Sequence, residues 1–168
     1  MNKKKTLLVG VGIILVCFLI SGIYMFVNRS TSRAPTQAEM DAYAPYAVDW
    51  TAAAGEAGMT EKEIILSLCT YEGEETIGQN IYKSYTSDTL ADHLYQCQSL
   101  SEVVVSDDGI LHISYTDTNG RLVFLGYRED GLYERAVYDE KTDTMFHELE
   151  GTAVVWSNFR NGIQWGAA

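Results

Sequence analysis

The chain has 168 residues and a formal net charge of −11, but five of its 12 Lys and Arg stand at or before Arg33, leaving 7 against all 23 Asp and Glu, a net of −16 beyond that point. A surface of that sign repels phosphate backbones and anionic lipid, and no basic stripe interrupts it, so a nucleic-acid partner is excluded from the reading. Residues 34–168 suffice for one ordinary domain whose core needs no disulfide or metal to hold it.

The N-terminal stretch "TLLVGVGIILVCFLISGIYMFV", Thr6 to Val27, runs 22 residues without a charge. As a helix it would reach ~33 Å, enough to cross a hydrocarbon core of about 30 Å. It is longer than the apolar region of a secretory signal, and the one small-x-small site downstream, Ser32-Arg33-Ala34, is followed by Pro35. An uncleaved transmembrane signal-anchor is therefore expected over 6–27. Lys3, Lys4 and Lys5 before it outweigh Arg29 and Arg33 after it, which makes 1–5 a cytoplasmic tail and puts the rest outside a cell membrane crossed once. Cys17 follows Val16 rather than the small residue a lipoprotein signal requires, and reads as an apolar membrane residue.

Residues 28–35 are polar, contain Pro35 and read as a tether. A helical part is expected over 36–100. Thr36 and Glu39 form the first capping box, and Met40, Tyr43, Ala47, Trp50 and Ala54 then recur at helical spacing. Pro45 inside that stripe means a kinked helix or two helices meeting at Ala44. Thr60 and Glu63 form a second box ahead of Ile64, Ile65, Leu68 and Cys69, where a helix is favoured over a strand. Ile77, Ile81 and Tyr85 suggest a third helix; Leu90, Leu94 and Cys97 suggest a fourth, behind a Ser87 cap.

From Glu102 the apolar period changes to two: Val103 and Val105, then Leu111, Ile113 and Tyr115, then Leu122 to Tyr127, with further strands at about 132–138, 143–149 and 152–159. Asp108-Gly109, Asn119-Gly120 and Asp130-Gly131 fall between these runs at eleven-residue intervals. Asn-Gly and Asp-Gly are hairpin signals, because a type I′ turn needs positive φ at both central residues. The expected fold is thus α+β: the transmembrane helix, then a helical region packed on an antiparallel β-meander of 5–6 strands over 101–160, with a short tail at 161–168.

The same acidic turns could imitate calcium loops. Setting Gly120 at the sixth position of a calcium-binding loop places Asn119 and Asp117 correctly, but Tyr115 and Gly126 then occupy positions that require oxygen ligands. The stretch "YTDTNGRLVFLGY" also resembles one unit of the tyrosine-aspartate repeats of large bacterial surface proteins, but it occurs once, and repeat folds need about three units.

No nucleophile elbow, phosphate loop, His-Glu-x-x-His or Cys-x-x-Cys is present, so no catalytic residue, cofactor or metal site is assigned and a non-enzyme is expected. His93, His112 and His147 each lack a second ligand at metal spacing. The pairs Glu74/Glu75 and Glu148/Glu150 read as solvated carboxylates. Cys69 and Cys97 form a candidate disulfide closing a loop of 29 residues, with free apolar thiols the equal alternative.

Tyr115, Tyr127, Tyr133, Tyr138 and Trp156 belong to the expected sheet and form the candidate binding face, although packing between sheet and helices is the commoner role for such rings. The order of anchor, tether, helices and meander resembles the extracytoplasmic cystatin-like, or nuclear-transport-factor-like, domains of membrane-anchored conjugation and secretion subunits. That resemblance is one of architecture and brings no site residues. A pilin-like subunit fits less well, since Leu15 and Cys17 stand where Glu is required after Gly10 and Gly12. Two functions follow as expectations: a non-catalytic envelope component acting through an unidentified protein partner, or a module binding a ligand on the aromatic face.

Overall fold

The computed structural model describes residues 31–77 and 80–160. The expected cytoplasmic tail, the span at 6–27 and the tail at 161–168 lie outside the described residues. Among those described, no helix is long and apolar enough to cross a membrane. The helices and sheet belong to one unit, Ser32–Ser157.

Both capping boxes form. Thr36 Oγ1 accepts from the Glu39 N–H and Glu39 reaches back to the Thr36 N–H, opening α1 (Gln37–Tyr43). Thr60 and Glu63 do the same for α3 (Glu61–Ser67). Between them Pro45 ends α1, since it lacks the N–H that would bond back into the helix. The chain makes a 3-10 turn at Ala44–Tyr46 and restarts as α2 (Thr51–Ala57). Of the two arrangements the sequence allowed around Pro45, the separate helices are the ones formed.

Thereafter the structure is mostly antiparallel sheet, and the expected third helix is corrected. Ile77, Ile81 and Tyr85 lie in two arms of a hairpin, β2 (Thr70–Ile77) and β3 (Asn80–Thr86). The physical reason is composition: Thr, Tyr and Ile supply four of the eight residues of β2 and four of the seven of β3, and β-branched and aromatic side chains fit a pleated surface better than a helix. The fourth helix shrinks to one turn, α4 (Leu90–His93), with Cys97 already in β4 (Cys97–Ser106). Ser87 Oγ does accept from the Leu90 N–H at 3.0 Å, as a cap would.

The meander continues as β5 (Leu111–Asp117), β6 (Leu122–Arg128), β7 (Gly131–Asp139), β8 (Thr144–Leu149) and β9 (Thr152–Ser157). Thr31–Arg33, part of the expected tether, forms β1. The sheet order is β1-β9-β8-β7-β6-β5-β4-β3-β2, nine strands instead of 5–6 because the hairpin and β1 join the six expected.

The Asp-Gly and Asn-Gly turns sit between strands, but not as type I′. Gly109 and Gly120 have φ of +82° and +81°, whereas Asp108 and Asn119 are not left-handed. At the second turn the Gly120 N–H bonds Asp117 O and the Asp117 N–H bonds Arg121 O, the pattern of a type I turn closed by a glycine bulge. The same pattern joins Ser106, Gly109 and Ile110.

Strand alternation then sorts the side chains. Val103, Leu111, Ile113, Tyr115, Val123, Leu125, Tyr127 and Val137 face the helices and meet Tyr46, Trp50, Ile65 and Leu90 in one buried core. The residues between them point to the opposite face of the sheet, left open by the described helices.

Candidate functional site

Register decides the fate of the five candidate aromatics. Tyr115 pairs with Val123, and Tyr127 with Leu132, so both lie on the helix side and are buried. The Tyr115 hydroxyl donates to Tyr95 O at 3.1 Å. Burial pushes the Tyr127 hydroxyl up to about 12, opposed by the Trp50 indole beside it. Neither Trp50 Nε1 nor Tyr127 Oη completes a hydrogen bond, however, and Arg135 Nε is the third buried polar atom without a partner among the described residues.

Tyr138 and Trp156 lie on the open face, offset by one position from the core residues Val137 and Val155. Tyr133 is skipped where β6 and β7 shift register between Gly126 and Tyr127, and the Arg128 guanidinium lies 3.5 Å from its ring centroid. The five therefore do not form one binding face. Membership of a strand was legible in the sequence, but the face each ring takes depends on pairing.

The open face carries a different apolar surface. Successive partners across β6 to β9 form one row, Leu122, Tyr138, Met145 and Trp156, and beside it a second, Phe124, Ala136, His147 and Val154. Leu122 is 41% and Phe124 44% exposed, among the few large apolar side chains that remain so. Ala136 and Tyr138 beside them are buried, so Leu122 and Phe124 are the side chains that stand out of this face as a candidate contact point. The sequence marks Leu122 and Phe124 only as strand residues; their outward direction follows from the register with β5 and β7.

At one end of the sheet a polar network holds helix to hairpin. The Tyr46 hydroxyl donates to Asp117 Oδ2 at 2.5 Å, and Asp117 Oδ1 accepts from the N–H groups of Asn119 and Arg121, each at 2.8 Å. Burial opposes ionisation of Asp117, but these three donors outweigh it and hold the carboxyl below the usual range. For Tyr46 the sign is opposite: burial first, then the Asp117 carboxylate, pushes the hydroxyl up to about 12. Arg121 joins Tyr46 Oη at 3.3 Å and Asp139 at 3.3 Å. The carboxylate best placed for calcium by sequence is thus engaged by protein donors. Among the described residues no group of three His, Cys, Asp or Glu side chains is placed to hold a metal ion.

A second junction centres on Arg135, which is buried in β7. Its Nη1 donates to Tyr43 O at 2.7 Å and to Ala44 O at 3.1 Å where α1 stops, and Ala44 O also accepts from the Ala47 N–H. Nη2 pairs with Glu148, and the guanidinium lies 5.3 Å from the Phe146 ring centroid.

The one grouping that imitates a catalytic set is Ser106, Asp108 and His112. Ser106 Oγ bonds Asp108 directly and lies 3.2 Å from His112 Nε2. A hydrolase triad places the carboxylate on the far nitrogen of the imidazole, so that the imidazole can take the serine proton. Here the carboxylate holds the serine instead, and Asp108 Oδ1 lies 3.4 Å from the Ile110 N–H, as suits a turn.

Cys69 and Cys97 are free, so the structure does not join them as a disulfide. Cys69 Sγ lies 3.3 Å from Ile65 O, and burial raises both thiol pKa values above the ordinary range. No protein-family model, no curated protein and no solved structure matches the chain.

Proposed function

We propose that the domain is a non-catalytic contact module, held outside a cell membrane by a single N-terminal anchor and acting through protein partners. The observation that carries this reading is the open sheet face, where Leu122 and Phe124 stand exposed beside Tyr138, Met145, Trp156 and Val154. An apolar patch rimmed by polar side chains on an acidic domain is the composition of a protein interface. A cystatin-like arrangement is the finer reading of the fold, supported by helices packed on one face of an antiparallel meander. Crosslinking and pull-down of the intact protein from membranes tests the function. A specific protein partner is the expected result; recovery of none, together with a thermal shift from a small ligand, would overturn it.

The second reading, an extracytoplasmic ligand-binding module, draws on the unpartnered Trp50 Nε1, Tyr127 Oη and Arg135 Nε in the core. Buried polar groups are normally satisfied, so a bound molecule offering acceptors would find donors there. The thermal-shift arm of the same experiment separates the two.

A further inference from the structure

We propose that Asn119-Gly120 is a latent modification site: the folded β5–β6 hairpin holds the Asn119 amide unreactive, and opening of that hairpin lets it leave as ammonia. The chemistry needs only water. The Gly120 backbone nitrogen attacks Asn119 Cγ, the new N–Cγ bond forms as the Cγ–Nδ2 bond breaks, and ammonia departs with the proton that the Gly120 nitrogen gives up. Water then opens the five-membered imide at Cγ or at the Asn119 main-chain carbonyl, giving aspartate or a backbone-shifted isoaspartate. Glycine suits the attacking position because it has no Cβ to shield its nitrogen. Both residues are exposed, and no described atom beyond the immediate neighbours lies within 4 Å of a Cβ built on Gly120, so bulk does not protect the site.

Hydrogen bonds protect it instead. The Gly120 N–H donates to Asp117 O at 3.0 Å, which engages the proton the nucleophile must lose. Asn119 Nδ2, the leaving group, donates to Gln96 Oε1 at 3.0 Å. Gln96 is itself fixed, left-handed at φ +50° with its carbonyl accepting the Thr118 N–H at 2.9 Å. The Asn119 N–H donates to Asp117 Oδ1 at 2.8 Å, and the Asn119 carbonyl accepts from Lys141 Nζ at 3.0 Å, so the backbone is tied on both sides of the reacting carbon.

Asn119 holds the third position of the type I turn, where ψ is about 0°, and ring closure requires the Gly120 nitrogen to swing roughly 120° toward the Asn119 Cβ. That swing breaks the Gly120 N–H bond to Asp117 O, so the reaction follows opening of the hairpin. Either product lacks the amide donor to Gln96, and isoaspartate adds a methylene to the main chain of the turn. The change is irreversible and marks a chain that has opened.

Incubation of the full-length protein in mildly alkaline buffer, native and in guanidinium chloride, followed by peptide mass spectrometry, tests the proposal. The digest separates amide-to-acid conversion at Asn119 from that at Asn161, which also precedes a glycine. Conversion of Asn119 in the native chain should be at least about tenfold slower than in denaturant. Y46F removes the donor to Asp117 Oδ2 and should raise the native rate by roughly tenfold. Q96A, which removes the acceptor of the Asn119 amide, should also raise it and serves in place of Y46F should that variant not fold. Native conversion as fast as in denaturant, no conversion in denaturant, or a folded Y46F or Q96A no faster than wild type would each overturn the proposal.

Discussion

The Tyr46 hydroxyl donates to the Asp117 carboxylate at 2.5 Å across 71 residues of sequence, tying the turn after α1 to the β5–β6 hairpin. Removing one partner of a buried charged hydrogen bond costs about 1–3 kcal/mol. Tyr46→Phe should lower the unfolding free energy by about that amount at pH 7, measured by urea denaturation. The Asp117 pKa lies lower in the folded chain than in the unfolded one, where it is about 3.9. Its stabilisation is therefore present above that unfolded value and lost as the pH falls through the folded value. The deficit of Tyr46→Phe should accordingly shrink as the pH falls through that folded value; a deficit that stays constant until the chain unfolds in acid would count against the network. Tyr46 itself has a pKa raised to about 12, so its contribution holds below the unfolded value of about 10 and is lost as the pH rises through 12.

Gly120 has φ +81°, and no atom outside its immediate neighbours lies within 4 Å of a Cβ built there, so only backbone strain opposes a side chain. Gly120→Val should cost about 1–3 kcal/mol through a β-branched residue forced left-handed. Calcium at millimolar concentration should leave the wild-type melting temperature unchanged, since Asp117 already accepts three protein donors. A clear calcium-induced rise would contradict that reading of the turn.

The positions of the turns, though not their type, the six C-terminal strands and both capping boxes were legible because each depends on chemistry within a few residues. Segment 70–86 was not. Ile77, Ile81 and Tyr85 happen to recur at a helical interval, which masks the Thr and Tyr content that favours strands. The contact face was hidden for another reason. Tyr138 and Val137 are adjacent in sequence and fall on opposite sides of the sheet, and only the pairing of Leu122 with Tyr138 shows which ring joins which patch.

Arg135 links β7 to the end of α1 through the Tyr43 and Ala44 carbonyls and to β8 through Glu148. Arg135→Leu leaves two carbonyls and a carboxylate without this donor. A loss of about 3 kcal/mol is expected in denaturant titration. Full stability in that variant would show that the carbonyls find other donors.

Burial raises the thiol pKa of both Cys69 and Cys97, which leaves little of the reactive thiolate at neutral pH. Maleimide at pH 7 should label neither quickly in the folded chain and both at once in denaturant without reductant. Labelling that requires prior reduction would mean that the two are bonded.

Photo-crosslinking by a light-activated residue placed in turn at Leu122, Phe124 and Glu75 of the intact membrane protein tests the contact surface most directly. Leu122 and Phe124 should each give a discrete protein adduct, and Glu75, on the β2 edge strand, should give none. Equal or absent adducts at all three positions would contradict a contact surface on the open face of the sheet.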